Sequence, residues 1–255
     1  GDILGSALGD EYDGNEENYD VKEHYNADNV YCATYQEELS GYMAGYAAVK
    51  LGYKHLGFLG GMKVPAVTRF GYGYVQGANE AAKELGITDQ VQVEYVCGGQ
   101  FYGDADITAY MDTWYGTKGV EAVFACGGGI YTSAVDAAAQ YDGKVIGVDV
   151  DQFPKIGDAC ITSAMKGLGS AVEAALDAYT SGNWSSIGGK SEQLGLTQGD
   201  YLGLPTADAS WGFKTFTKDE YETVLNGIKD GSITVSNDTE NQPEVGSHVT
   251  VTYVE

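Results

Sequence analysis

Short apolar runs alternate with amphipathic segments along most of the chain. A β-rich run at 29–35 leads into segment 36–52. In that segment apolar residues recur at the spacing of one helix face: Leu39, Tyr42, Met43, Tyr46 and Val49. This spacing predicts a helix. Gly41 and Gly45 lie four residues apart in it, and we expect them to let another element pack closely.

The alternation continues between His55 and Val150. Four apolar strands are predicted, at 55–61, 90–98, 121–129 and 144–150. Three helices are predicted between them, at 65–85, 104–115 and 130–141. This alternation is typical of a parallel sheet covered by helices on both faces. The sequence therefore predicts an α/β fold.

The pattern after residue 150 is looser. Five further elements are predicted there: a strand at 158–166, a helix at 168–184, a hairpin or two short strands at 190–204, a capped helix at 218–231 and a terminal strand at 248–255. Their boundaries rest on glycines, helix-capping residues and period-two alternation. With the preceding elements they account for most of the chain.

The charge balance argues against some partners. The chain has 14 Lys and Arg against 37 Asp and Glu, a formal net charge of −23. A potential of this sign repels phosphate backbones and anionic lipid headgroups, so we expect no nucleic-acid partner.

Residues 1–28 are acidic and lack apolar periodicity, which predicts a solvated loop. A calcium-binding loop is the alternative, but Gly14 does not fall at the position that such a loop requires.

Cysteine and histidine spacing favours neither a metal nor a cofactor. The four cysteines are far apart: Cys32, Cys97, Cys126 and Cys160. They match no metal-ligand spacing, and we favour free thiols over one or two disulfides. The three histidines are also scattered: His24, His55 and His248. The sequence has no phosphate-binding GxxxxGK[ST] loop, GxSxG elbow or HExxH helix, so a catalytic reading has little support.

Candidate ligand-binding residues follow the predicted strands. In an open parallel sheet, ligands bind at the carboxyl ends of the strands. Gly127 and Gly128 lie at one such end, Asp149 and Asp151 at the next, and Lys166 ends the fifth strand. Glycine lets backbone N–H groups approach a ligand, and a carboxylate accepts two hydrogen bonds from a vicinal diol, each worth about 1.5–3 kcal/mol. This chemistry favours a sugar or a ribose. The alternatives are turn geometry for the glycines, helix capping or a salt bridge for the two aspartates, and a solvated position at a helix N-terminus for Lys166.

Several motifs together resemble the basic membrane protein (Bmp/Med) family. They occur in the family's order: EELSGYMAG (37–45), GFLGGM (57–62), PAVTRFGYGYVQG (65–77), FACGGG (124–129), VIGVDVDQ (145–152) and TSAMK (162–166). The resemblance covers about residues 29–200. It implies a type I periplasmic-binding-protein-like fold, with Rossmann-like parallel sheets in two lobes, and a purine nucleoside as ligand.

The resemblance also implies roles for single residues. Phe70 is similar to the aromatic residue that stacks on the base, and Gly127 or Gly128 would approach the ligand through the backbone. Asp149 is similar to the carboxylate that holds the ribose hydroxyls, and Lys166 to a lysine at the cleft. The alternative for Phe70 is a core aromatic.

The division into lobes rests on the same resemblance. We expect 53–165 to form lobe 2, 1–52 to be a remnant of lobe 1, and 166–255 to return to lobe 1. Family members carry a further stretch before this point, so we expect an incomplete first lobe. A fragment is favoured over a naturally reduced protein, because a half-built sheet exposes strand edges.

The function that the resemblance implies is binding and not catalysis. The chain would belong to the extracytoplasmic substrate-binding component of a bacterial ABC importer, a periplasmic or cell-surface lipoprotein. Its partners would be a small-molecule ligand, enclosed by hinge closure, and the transporter permease. Contact with the membrane would be through a lipid anchor that is absent from this sequence. Two alternatives stay open: a nucleoside-processing enzyme, and a ligand-sensing effector domain on the same fold.

Overall fold

The computed structural model describes residues 9–11, 13, 18, 19 and 26–254. Most of segment 1–28, with Gly14 and His24, lies outside the described residues, and so does most of the predicted acidic loop. The chain divides into a small unit, 1–34 with 168–194, and a large unit, 35–167 with 195–255. Each unit is described by itself.

The described residues form short strands at nearly all the predicted places. They are β1 Cys32–Tyr35, β2 His55–Gly60, β3 Val91–Cys97, β4 Ala122–Cys126, β5 Lys144–Asp149, β6 Cys160–Lys166, β7 Ser191–Leu194, β8 Leu202–Gly203 and β9 Val249–Tyr253. The predicted strands are therefore confirmed, with boundaries shifted by a few residues. Segment 190–204 forms two short strands in different sheets, and not a hairpin.

The helices also follow the prediction. They are α1 Glu37–Lys50, α2 Pro65–Glu84, α3 Ala105–Asp112, α4 Tyr131–Tyr141, α5 Phe153–Ile156, α6 Leu168–Thr180 and α7 Lys218–Lys229. A π-helical turn, Thr113–Lys118, continues α3. A capping box, in which Thr217 and Glu220 satisfy each other's backbone N–H groups, begins α7. This cap confirms the start of the predicted helix.

The large unit is built on a seven-stranded sheet with the order β8-β6-β5-β4-β2-β3-β9. β8 is antiparallel to β6, and the other neighbouring pairs are parallel. The predicted α/β fold is therefore confirmed. Because β4, β5 and β6 are neighbours, their carboxyl ends lie side by side at one edge of the sheet. The described part of the small unit contains α6 and the pairing of β1 with β7.

Helices α1 and α2 cross at very close range through glycines on both sides. Gly41 and Gly45 of α1 face the backbone of α2, and Gly73 and Gly77 of α2 face the backbone of α1. A methyl group on any of them would meet a peptide carbonyl: those of Phe70, Tyr74, Glu38 and Tyr42, respectively. The predicted packing role of the α1 glycines is confirmed. The matching pair on α2 makes the contact reciprocal.

Helix α1 is buried on all sides and not on one face only. Every residue from Glu37 to Val49 is buried. The Ser40 hydroxyl donates to the Met165 carbonyl of β6 at 2.7 Å and accepts from the Gly203 N–H of β8 at 3.0 Å. A buried hydroxyl requires hydrogen-bond partners, and these two bonds hold α1 next to the end of β6.

The two compact units have other boundaries than the predicted lobes, and the division into lobes stays a prediction. The prediction placed α1 with lobe 1, but its glycine contacts with α2 hold it in the large unit. The prediction also placed 166–255 in lobe 1, whereas 195–255 belongs to the large unit. β8 and β9 extend the two ends of the large sheet, which explains this placement.

Two further observations concern the described residues. All four cysteines are free thiols, and Cys126 and Cys160 are buried, which confirms the prediction of free thiols. No helix within the described ranges has the length and apolar character needed to cross a membrane.

Candidate ligand-binding edge of the sheet

The structure brings five of the six predicted site residues to the edge where β4, β5 and β6 end. Gly127 and Gly128 follow β4, Asp149 ends β5, Asp151 follows it, and Lys166 ends β6. Asp149 pairs in register with Met165, next to Lys166. Asp149 also adopts a left-handed backbone conformation, with φ of 67°, which is uncommon for residues other than glycine. The tight turn after β5 therefore begins at Asp149.

An ion pair joins the two charged residues of this edge. Lys166 Nζ lies 3.0 Å from Asp149 Oδ1 and 3.9 Å from Glu37 Oε1. It also lies 5.6 Å from the ring centroids of Tyr35 and Phe70. The Lys166 side chain is 16% exposed and that of Asp149 is 36% exposed. Lys166 is thus a largely enclosed cation, and its carboxylate partner is accessible from solvent.

A second buried ion pair supports the first. Arg69 Nε lies 2.7 Å from Glu37 Oε2 and 4.0 Å from Glu38 Oε2. Glu37 therefore links Arg69 to Lys166 through its two oxygens. Sequence reasoning did not predict that Glu37, Arg69 and Lys166 form one charged group. The available signal was two adjacent acids at the start of an otherwise apolar helix.

Glu38 is the least satisfied member of this network. Its side chain is 2% exposed, and within the described part of the chain Oε2 is buried without a hydrogen-bond partner. Burial raises the pKa of Glu38 to about 7; the carboxylate of Glu37 adds to this shift, and Arg69 opposes it. Ionised Glu38 therefore destabilises the folded state.

The stability of the protein is expected to fall with pH through Glu38. Its pKa is 4.5 unfolded and about 7 folded, so between these values the unfolded state loses this proton first, and raising the pH favours unfolding. From pH 5.5 to pH 6.5 the free energy of unfolding of the wild type should fall by about 1 kcal/mol, and that of a Glu38→Gln variant should not show this decrease. Urea unfolding at both pH values measures the difference. The exposed Glu173→Gln change is the control, and parallel pH curves for wild type and Glu38→Gln would contradict the expectation.

Phe70 lies in the core in this structure. Its residue exposure is 2%, and its ring meets Phe124 edge to face with centroids 5.9 Å apart. This buried position agrees with the alternative interpretation of Phe70 as a core aromatic. Stacking on a base requires an exposed ring face, which this structure does not provide at Phe70. The predicted stacking role of Phe70 therefore stays a prediction.

Phe101 is an aromatic residue of this edge that sequence reasoning missed. It is 37% exposed and lies against the glycines that follow β4. A Cβ built on Gly127 would lie 3.1 Å from Phe101 Cδ1, and one on Gly128 would lie 3.0 Å from the Phe101 carbonyl oxygen. The Gly129 N–H donates to that carbonyl at 2.7 Å. The signal in the sequence was a phenylalanine in the glycine-rich loop after β3.

Asp151 is engaged in local structure. Its Oδ1 accepts from the Phe153 N–H at 3.0 Å at the start of α5, and its Oδ2 accepts from the Ser210 hydroxyl. The bond from Phe153 closes a local turn just before α5, whose N-cap is Gln152. Its role in ligand binding stays a prediction.

A cavity of about 550 Å³ opens beside the Asp149–Lys166 pair. Its lining includes Tyr201, Tyr221 and Lys229 in addition to the ion pair. Sites for small molecules commonly occupy about 300–1,000 Å³. The carboxyl edge therefore has a carboxylate and a cation in the lining of this cavity, and an exposed aromatic ring with glycines at the neighbouring strand β4. This set can bind a polar, ring-containing ligand.

Comparison with known proteins gives the family. Residues 13–238 match the Bmp family, described as ABC transporter substrate-binding protein PnrA-like. The chain belongs to the Bmp family. The resemblance stated from its motifs is thus confirmed.

Two relatives illustrate the match of this Bmp-family chain. It is 32% identical to basic membrane protein B of Borreliella burgdorferi, over 71% of this chain and 52% of that protein. It is 30% identical to the ABC transporter nucleoside-binding protein BmpA of Lactococcus lactis subsp. cremoris, over 81% of this chain and 60% of that protein. The chain therefore spans little more than half the length of these relatives.

Solved structures agree on the fold of this Bmp-family chain. An ABC transporter solute-binding protein from Aeropyrum pernix K1 superposes with a TM-score of 0.67 and 19% identity, covering 81% of this chain and 66% of that one. A second, from Conexibacter woesei, has a TM-score of 0.59 and 21% identity over 80% of this chain and 65% of that one. The predicted periplasmic-binding-protein-like fold is therefore confirmed.

Proposed function

We propose that this chain belongs to the extracytoplasmic substrate-binding component of an ABC importer and contributes one wall of a site for a purine nucleoside. The site does not catalyse a reaction; hinge closure encloses the ligand, which passes to the permease. A lipid anchor holds the protein at the membrane in this proposal. Family membership supports the importer role, and the name of the Lactococcus relative supports a nucleoside.

The observation that carries the proposal is the Asp149–Lys166 pair at the sheet edge. Lys166 engages Oδ1 of Asp149, and within the described residues no hydrogen bond or ion pair involves Oδ2. That oxygen is available to accept hydrogen bonds from the ribose hydroxyls. The ion pair with Lys166 holds the Asp149 carboxylate in place, and hydrogen bonds to a carboxylate are stronger than those to a neutral acceptor.

The base of the nucleoside is assigned to Phe101 and the neighbouring glycines. Phe101 has an exposed ring beside Gly127 and Gly128, and Gly128 is exposed, so that its backbone can approach a polar edge of the base. Purines have a large π face, which suits an exposed aromatic ring. We place the base over Phe101 in preference to the buried Phe70.

A Phe101→Ala change is expected to weaken inosine binding about tenfold, because stacking on an aromatic ring contributes about 1–3 kcal/mol per base. Isothermal titration of the full-length gene product measures this effect. Tyr102→Ala is the matched control, since Tyr102 is the next residue and is 62% exposed. Equal affinities of Phe101→Ala and wild type would remove Phe101 from the site.

The function itself is tested by mass spectrometry of small molecules released from the denatured full-length gene product. Recovery of a purine nucleoside supports the proposal, whereas recovery of an aliphatic amino acid rejects it. The same protein is incubated with inosine or guanosine. Appearance of the free base would show a nucleoside hydrolase and overturn the binding-only role.

A further inference from the structure

Lys166, at the end of β6, is enclosed by two carboxylates and two aromatic rings. Its Nζ lies 3.0 Å from Asp149 Oδ1 and 3.9 Å from Glu37 Oε1. The ring centroids of Tyr35 and Phe70 are each 5.6 Å away, and aromatic ring faces attract a cation. The Lys166 ammonium group therefore has two competing anionic partners, and its position at the ligand edge depends on both.

The two carboxylates lie in different surroundings. The Asp149 side chain is 36% exposed, whereas that of Glu37 is 3% exposed. Water and salt screen an exposed ion pair strongly and a buried pair much less. The attraction of Glu37 is therefore effective beyond hydrogen-bond distance, and it draws the Lys166 ammonium group toward buried helix α1.

Glu37 is itself held in place by Arg69. The Arg69 Nε–H donates to Glu37 Oε2 at 2.7 Å, which leaves Oε1 for Lys166. Arg69 lies in α2, and the close glycine crossing fixes α2 against α1 at this point. A Cβ on Gly73 of α2 would meet the backbone carbonyl of Glu38, the residue next to Glu37. The Glu37 carboxylate therefore has little freedom to follow Lys166.

The charges of this network alternate in sign along a row that ends at the ligand edge: Arg69, Glu37, Lys166 and Asp149. Glu38 lies beside the row, with Oε2 4.0 Å from Arg69 Nε. Tyr35 adds no charge, since burial, Tyr201 and Glu37 each raise the pKa of its hydroxyl. Without the charge of Glu37, Asp149 is the one carboxylate within the described residues that pairs with Lys166. The ammonium group can then move toward Asp149 and engage both of its oxygens.

We propose that Glu37 is a positioning residue for the ligand edge. It holds Lys166 back, so that Lys166 pairs with Oδ1 of Asp149 and leaves Oδ2 for the ligand. Arg69 supports this role by fixing Glu37. Glu37 does not contact the ligand, because its side chain is buried. This role rests on the proposed function of the edge, and it gives the acidic start of α1 a part in binding.

Amine labelling of Lys166 tests the positioning without any ligand. Acetic anhydride labelling of the full-length gene product, followed by mass spectrometry of the Lys166 peptide, reports how far the ammonium group is enclosed. Lys166 should be labelled severalfold faster in Glu37→Gln than in wild type, because it moves to the more exposed carboxylate. The exposed Lys214 is the internal reference.

Glu80→Gln is the matched control for the labelling. Glu80 pairs with Lys83 at 3.1 Å on an exposed part of α2, so this change also removes an ion pair but should leave the labelling of Lys166 unchanged. Glutamine has the size of glutamate, and Arg69 keeps Glu38 as a partner, so Glu37→Gln should fold. Equal labelling of Lys166 in wild type and Glu37→Gln overturns the proposal.

Inosine affinity shows whether Glu37 acts through Lys166. Glu37→Gln should weaken inosine binding about tenfold, the loss of one hydrogen bond to a charged acceptor. In a Lys166→Met background the same change should have no further effect, because the group that Glu37 positions is gone. Weakening by the same factor in both backgrounds would indicate a merely structural role and overturns the proposal. Isothermal titration measures the four affinities, and far-UV circular dichroism checks that each variant is folded.

The two measurements separate this role from the proposed nucleoside function. A wild type that does not bind inosine removes the nucleoside function, and the labelling of Lys166 still decides whether Glu37 positions it. A wild type that binds inosine, together with a Glu37→Gln variant of equal affinity, removes the role of Glu37 and leaves the nucleoside function standing.

Discussion

An Asp149→Asn variant of the full-length gene product is expected to bind inosine about 100-fold more weakly than wild type. The charged carboxylate accepts hydrogen bonds from two ribose hydroxyls in our proposal, and each such bond contributes about 1.5–3 kcal/mol. Asparagine keeps one acceptor oxygen but loses the charge. It also tolerates the left-handed backbone of position 149, so the loss should not come from misfolding. Isothermal titration measures the change.

Asp142→Asn is the matched control for this experiment. Asp142 also has a positive φ, of 53°, and also pairs with a lysine, Lys144, at 3.2 Å, but it lies far from the ligand edge, before β5. Its replacement should leave inosine affinity unchanged. Wild type should further discriminate against 2′-deoxyinosine, and Asp149→Asn should discriminate much less. Equal inosine affinity in wild type and Asp149→Asn would exclude Asp149 from the site.

A Gly77→Ala change is expected to lower the free energy of unfolding by about 3 kcal/mol, at the upper end of overpacking effects. A Cβ at position 77 would lie 2.7 Å from the carbonyl carbon of Tyr42 and closer still to its oxygen. Backbone atoms in a helix cannot move aside as a flexible side chain can, so α1 and α2 would have to separate. Urea unfolding followed by far-UV circular dichroism measures the loss.

Gly169→Ala provides the control, since Gly169 lies in α6 and an added Cβ there would meet nothing within 4 Å. Alanine is the better helix former by about 1 kcal/mol, so this variant should be as stable as wild type or more so. A Gly77→Ala protein with wild-type stability would show that the two helices do not cross as tightly as described.

The fold was largely predictable because the periodicity of apolar residues reports local structure. Strands such as His55–Gly60 and helices such as Pro65–Glu84 have clear boundaries in glycine, proline and polar residues. The parallel sheet then follows from their alternation. The boundary between units was not predictable from local pattern, because it depends on α1 meeting α2 across their glycines.

The sequence by itself determined the elements, the α/β class, the family, and the presence of Gly127, Asp149 and Lys166 at neighbouring strand ends. Only the tertiary structure decided which aromatic ring is exposed, burying Phe70 and leaving Phe101 accessible. It also decided that Glu37 and Arg69 join Lys166 in one buried network. The physical reason is that exposure and ion pairing depend on residues distant in sequence, whereas periodicity and strand-end position are local properties of the chain.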